Sequence, residues 1–175
     1  EDFCFLKETA ISYIGELSEL YKEIDNRVVI KVEDINAYEF RIFIGGDILV
    51  FHMHTNVFQY PKSHYFWQTS YFKDDQTRSY GGMIHIYNFL ADSLQLNREN
   101  DLGFLIARLF INRENHFALE GQKKLNMLFK NLKDQVFDEP SQCKLIECLI
   151  EFSMEFELYI PPYKQVQTVS VKQAQ

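Results

Sequence analysis

Gly45-Gly46 lies between two stretches in which apolar residues recur at every second position, and that combination leaves the chain few ways to fold. A glycine pair supplies the positive φ that a two-residue hairpin turn needs, and period-two runs on either side read as strands. Counting outward from the turn pairs Ile42 with Leu49, Phe40 with Phe51 and Tyr38 with Met53 on one face. The other face pairs Phe43 with Ile48, Arg41 with Val50 and Glu39 with His52. One face is apolar and the other mixed, as a half-buried antiparallel pair requires. Residues 27–34, where Val28, Ile30 and Val32 alternate with Val29, Lys31 and Glu33, add a third strand to the meander.

Ahead of the meander, Phe3, Leu6, Ala10, Tyr13, Ile14, Leu17, Leu20, Tyr21 and Ile24 recur at steps of three and four. That spacing predicts an amphipathic helix, ended by Asp25-Asn26. After the meander, the ring-rich residues 65–72 read as a strand. Ile84, Tyr87, Ala91 and Leu94 predict a helix over 83–95, entered through Gly81-Gly82. Residues 102–111 are apolar on both faces except at Arg108, which predicts a central strand with a short partner at 116–120. A helix over 121–132 follows. Two patterns compete near the end: Phe152, Met154 and Phe156 alternate, while Lys144, Glu147, Glu151 and Glu155 recur at helical steps. The longer polar stripe, with Pro140 suited to a first turn, predicts a helix over 141–157. Pro161-Pro162 then stops regular structure.

These elements predict a single α+β domain over residues 1–160. Its antiparallel sheet has five or six strands, with the N- and C-terminal helices packed on one face. A tail, 161–175, contains a candidate edge strand at 166–171. In architecture alone the order of elements resembles ligand-sensing domains of the GAF or PAS type; no motif accompanies that resemblance.

The bulk numbers narrow the function. A chain that is 46% hydrophobic can build one core without a metal or disulfide staple. A formal charge of −7 without a basic run argues against nucleic acid as a partner and against an anionic membrane surface. No apolar stretch approaches the ~20 residues of a membrane helix. The three cysteines, Cys4, Cys143 and Cys148, form no C-x-x-C, and no N-x-Ser/Thr sequon occurs. Reduced thiols in a cytoplasmic protein are the expectation.

Four constellations carry possible chemistry. His52 and His54 share a strand face with Glu39 opposite, a donor set that zinc or ferrous iron accepts. Lys31 and Arg41 share that face and oppose a dication, so a solvated cross-strand pair is the preferred reading and no metal or cofactor is expected. Arg108, the single charge in an apolar strand, calls for an ion pair, with Glu120 as partner. Gly81-Gly82 before a helix could cradle a phosphate, but the dinucleotide and Walker spacings are missing, so a plain turn is preferred. No nucleophile motif is present, and whether the chain catalyses anything is left open.

The ring-rich residues 58–72 are the best functional hint. On a strand, Tyr65, Trp67 and Tyr71 fall on one face while Phe66 and Phe72 take the other, and Tyr and Trp with wet tips suit interfaces. The functional expectation is therefore a non-catalytic cytoplasmic module that binds a protein partner or a second copy of itself, or a small ligand, through Tyr65, Trp67 and Tyr71. The alternative is a metal-dependent enzyme built on Glu39, His52 and His54.

Overall fold

Strand order follows chain order almost throughout the sheet. A computed structural model describes residues 1–24, 28–96, 98, 100–121, 123–155 and 168–170. Helix α1 (Asp2–Ile24) leads into strands β1 (Ile30–Asn36), β2 (Glu39–Ile44) and β3 (Asp47–Met53). The short β4 (Phe58–Gln59) is followed by a 3-10 turn (Tyr65–Gln68), helix α2 (Ser70–Asp74) and a second 3-10 turn (Gln76–Ser79). Then come β5 (Tyr80–Leu90), helix α3 (Ala91–Gln95), β6 (Leu102–Asn112) and β7 (Phe117–Gly121). Helix α4 (Lys123–Leu128), a 3-10 turn (Leu132–Asp134), helix α5 (Glu139–Glu155) and β8 (Thr168–Ser170) complete the described chain.

The antiparallel sheet runs β1-β2-β3-β5-β6-β7, with β4 added to β5 and β8 to β6. The register read from the glycine turn is the observed one, from Ile42 opposite Leu49 through Glu39 opposite His52. Gly45 turns the chain at φ +57°, a value that glycine, with no Cβ, adopts at no steric cost.

One sheet face is buried under the two long helices. Phe40, Ile42, Leu49, Phe51, Ile84, Ile86 and Leu109 meet Phe3, Leu6, Ala10 and Ile14 of α1 and Leu145, Ile146 and Leu149 of α5 in one core. Polar ties fix how the helices sit. Buried Lys7 donates from Nζ to Asp34 Oδ1 (2.6 Å) and to the Asn36 carbonyl (2.7 Å), pinning α1 to the end of β1. Thr9 Oγ1 donates to Gln142 Oε1 (2.7 Å) between the helices. The Ser141 N–H donates to Asp138 Oδ1 (3.0 Å), which caps the start of α5. Backbone bonds from Phe117 to Gln135 (2.9 Å) and from Leu119 to Phe129 (3.1 Å) cover the outer edge of β7, which removes one template for unwanted pairing.

Two expected elements change type. Residues 83–90 form strand, not helix: Ile84 and Ile86 face the core while Met83, His85 and Tyr87 face the other way. Flanked by β3 and β6, this strand is covered on parts of both faces, so it lacks the simple polar alternation that marks a half-buried strand. Only Ala91–Gln95 is helical, and the apparent spacing of Ile84, Tyr87, Ala91 and Leu94 spans the junction. Gly81 and Gly82 therefore lie inside a strand, neither turning the chain nor heading a helix. The expected helix over 121–132 is shorter, and a 3-10 turn succeeds it. Part of the candidate edge strand is present as β8, which pairs with Leu102–Phe104; Asp25-Asn26 and Pro161-Pro162 lie outside the described residues. No helix among the described residues is long and apolar enough to cross a membrane.

Candidate functional site

The second face of the sheet is covered in two places and polar between them. At one end α3 roofs Phe43, Ile48, Val50 and Phe89 with Ala91 and Leu94. At the other, the segment after β4 folds over Phe110 and Ala118 as an aromatic layer.

That layer is helical rather than extended, so residues 65–72 are not the strand the sequence suggested. His64 Nδ1 accepts from the Phe66 N–H (3.4 Å) at the start of the 3-10 turn, and Thr69 Oγ1 donates to the Phe66 carbonyl (2.6 Å) at its end. These local bonds replace a ladder, while Phe66 and Phe72 reach the sheet by folding over it. Tyr65, Trp67 and Tyr71 consequently do not share one face. Tyr71 is buried: its hydroxyl donates to Glu114 Oε2 (2.8 Å) and accepts from Asn112 Nδ2 (3.0 Å). Arg78 lies 4.4 Å from its ring centre and donates to the Tyr71 carbonyl (3.0 Å) and to Glu114 (2.9 Å). The hydroxyl of Tyr71 and the Arg78 guanidinium hold the Glu114 carboxyl below its ordinary range, whereas burial pushes the Tyr71 hydroxyl up. Tyr71 thus clamps the layer to the β6–β7 turn.

Trp67 and Tyr65 are on its outside. Trp67, half-buried, donates from Nε1 to the Tyr60 carbonyl (3.0 Å), and the Lys62 ammonium stands 3.3 Å from its ring centre. Tyr65 is 44% exposed; its hydroxyl donates to the Lys130 carbonyl (3.0 Å), and Lys130 Nζ lies 5.6 Å from the ring. Both rings are therefore held in fixed poses with a cation beside them. A cleft of about 80 Å³ beneath the layer, lined by Phe66, Tyr71, Phe72 and Leu132, is well short of the ~300–1,000 Å³ of a small-molecule site.

Between the two covered ends, a line of ionisable side chains crosses the sheet. Glu39 lies opposite His52, His52 opposite His85, His85 opposite Arg108, and Arg108 opposite Glu120. The expected Arg108–Glu120 pair is present at 3.4 Å, with the arginine side chain 28% exposed and the glutamate 72%. At the other end Glu39 is buried and turned to Arg41 (2.6 Å). His85 in the middle meets the Tyr87 hydroxyl (3.1 Å) and Met83 Sδ (3.3 Å). A thioether cannot donate, so the tautomer that satisfies both contacts has the proton on Nε2, with Nδ1 accepting from Tyr87. His54 packs edge-on against His85, with ring centres 5.2 Å apart.

Desolvation, then Arg108, His54 and His52, push the pKa of His85 down to about 4. An unfolded imidazole titrates near 6.5, so between these values the unfolded chain binds a proton that the folded one refuses. The contribution of His85 to stability is complete above about pH 6.5 and is lost as pH falls toward about 4. The urea midpoint should decline on acidification from about pH 7 to about pH 5, and less steeply in His85→Gln. Identical slopes in the two proteins would place the acid sensitivity elsewhere.

Glu39, engaged by Arg41, does not join His52 and His54 as a donor set. Among the described residues no group of three or more His, Cys, Asp or Glu side chains could hold a metal ion. Sequence reasoning singled out His52 and Arg108 separately but missed their link through His85. The alternation of Met83, His85 and Tyr87 against Ile84 and Ile86 was the available signal. Comparison with protein-family models, with curated proteins and with solved structures finds no match. The class is therefore defined by architecture alone: an α+β protein with two helices on one sheet face and an aromatic layer and polar line on the other.

Proposed function

We propose that the chain is a non-catalytic binding module that docks a protein partner through the outer rings of the aromatic layer, Trp67 and Tyr65. The observation that carries this reading is their fixed presentation. Both are large rings, partly in water, tied by hydrogen bonds to backbone carbonyls, so little side-chain entropy is lost on contact. Trp and Tyr in such settings dominate interface energy. Tyr71 contributes by holding the layer in place rather than by touching a partner. A cytoplasmic setting is part of the proposal, supported by Cys4, Cys143 and Cys148 standing outside any disulfide, the first of them exposed.

Truncating an interface anchor costs about 2 kcal/mol or more of binding. Tyr65→Ala and Trp67→Ala should each weaken co-purification with a partner, or self-association read by sedimentation, by at least tenfold while circular dichroism stays native. Trp67 is the only tryptophan, so its emission reports the layer directly: a blue shift on complex formation is expected. Unchanged association in both variants would sink the reading.

A further inference from the structure

The line across the second face adjoins the aromatic layer, because Arg108 and Glu120 stand two residues along their strands from Phe110 and Ala118, which the layer covers. Its two terminal carboxylates are not equivalent. Glu39 is buried against Arg41, whereas Glu120 reaches Arg108 only at 3.4 Å and stays largely in water. An exposed pair of that length is worth about 0–1 kcal/mol and is easily exchanged. Between them stand His52, His85 and Arg108, with His54 alongside. Among the described residues, the groups facing His85 are Tyr87 on its own strand, His52 and His54 from β3, and Arg108 from β6. None of these is an acid at neutral pH, in a chain whose net charge is −7. His85 Nε2 meets the Met83 sulfur at 3.3 Å, a weak acceptor that a carboxylate oxygen outcompetes for a ring N–H. Lys62 and Lys130, stacked by Trp67 and Tyr65, extend the cationic character onto the layer itself.

We infer that the partner is acidic: a segment that packs on Trp67 and Tyr65 lays a carboxylate over His52, His85 and Arg108, taking the position of Glu120 on Arg108. This rests on the docking function proposed above and adds the chemistry of the partner. A second copy of the chain is the poorer occupant. Its acidic helix α1 lies on the opposite sheet face and would have to meet this one head-to-tail, a contact that builds rings or filaments rather than a two-fold dimer.

Docking the carboxylate draws a proton from solvent onto the site. His85 is neutral in the free protein, and an anion beside it favours the imidazolium, so binding takes up a proton and strengthens as pH falls.

The test uses the full chain, a fluorescent Glu- and Tyr-rich peptide, its Gln-for-Glu counterpart, inorganic phosphate and a single-stranded oligonucleotide. Charge-assisted bonds of this kind make the Glu peptide bind about tenfold or more tighter than the Gln peptide. Its affinity rises from about pH 7 to about pH 5, and the Cε1–H resonance of His85 shifts toward the imidazolium value on saturation. Glu120→Gln, at an exposed position that leaves the fold alone, tightens the Glu peptide several-fold; Arg108→Gln weakens it. Equal affinity for the two peptides, or no gain in Glu120→Gln, overturns the acidic-partner inference while the docking reading survives. Binding that ignores Trp67→Ala and Tyr65→Ala overturns the docking reading itself, as does failure of both peptides. A His85 shift produced fully by phosphate alone, or displacement of the peptide by the oligonucleotide, also overturns the inference, in favour of a free-anion or nucleic-acid site.

Discussion

Leu149→Asp should leave the protein largely unfolded at room temperature. Leu149 is fully buried in the core where α5 meets α1 and the sheet. Removing a buried leucine costs about 2–5 kcal/mol, and the substitute carboxyl must stay desolvated or charge without a partner, a further cost of at least ~1–3 kcal/mol. Native domains hold only about 5–15 kcal/mol in total. Glu151→Ala, two residues along on the wet side of the helix, should change stability by less than about 0.5 kcal/mol. Urea unfolding followed by circular dichroism decides the matter; similar midpoints for the two variants would mean that α5 presents a different face to the core.

Gly81→Ala should be the second severe substitution, with Gly82→Ala nearly silent beside it. A Cβ on Gly81 would lie 2.1 Å from the carbonyl oxygen of Ile111 and 2.8 Å from its carbonyl carbon, whereas one on Gly82 meets nothing within 4 Å. The obstacle is backbone of the neighbouring central strand, which cannot yield without breaking the ladder between β5 and β6. Overpacking of this kind costs about 3 kcal/mol. Gly81 also pairs with Phe58 of β4, the strand that launches the aromatic layer. Gly81→Ala should therefore redshift the Trp67 emission at denaturant concentrations where circular dichroism still reports a folded sheet. Equal tolerance of alanine at the two glycines would refute the close approach.

The candidate site was legible only in pieces. Arg108 announced its ion pair because a charge inside an apolar strand demands one, and Glu120 was the acid that the short hairpin brought opposite. Trp67 and Tyr65 announced themselves as rings in a polar context. Tyr71 looked equivalent to them, yet it is the clamp. Its neighbours Asn112, Glu114 and Arg78 are remote in sequence, and no local pattern says that a hydroxyl will find them. His85 was concealed for a related reason: with β5 read as a helix, nothing placed it beside His52.

What the sequence determined by itself is everything set by nearest neighbours and by turn chemistry. Gly45 fixes the hairpin because glycine takes its positive φ at no steric cost, and that turn dictates the register from Ile42–Leu49 to Glu39–His52. The periodicities of α1 and α5 fix two helices and the faces they bury. What the tertiary structure alone decided is the identity of β5, the helical course of the aromatic layer and the joining of Glu39–His52 to Arg108–Glu120 through His85. Partial cover on both faces leaves β5 with a short alternation, Met83, His85 and Tyr87 against Ile84 and Ile86, that the helical spacing of Ile84, Tyr87, Ala91 and Leu94 overrides. A line across a sheet, moreover, joins residues whose only relation is the cross-strand pairing that the assembled fold creates.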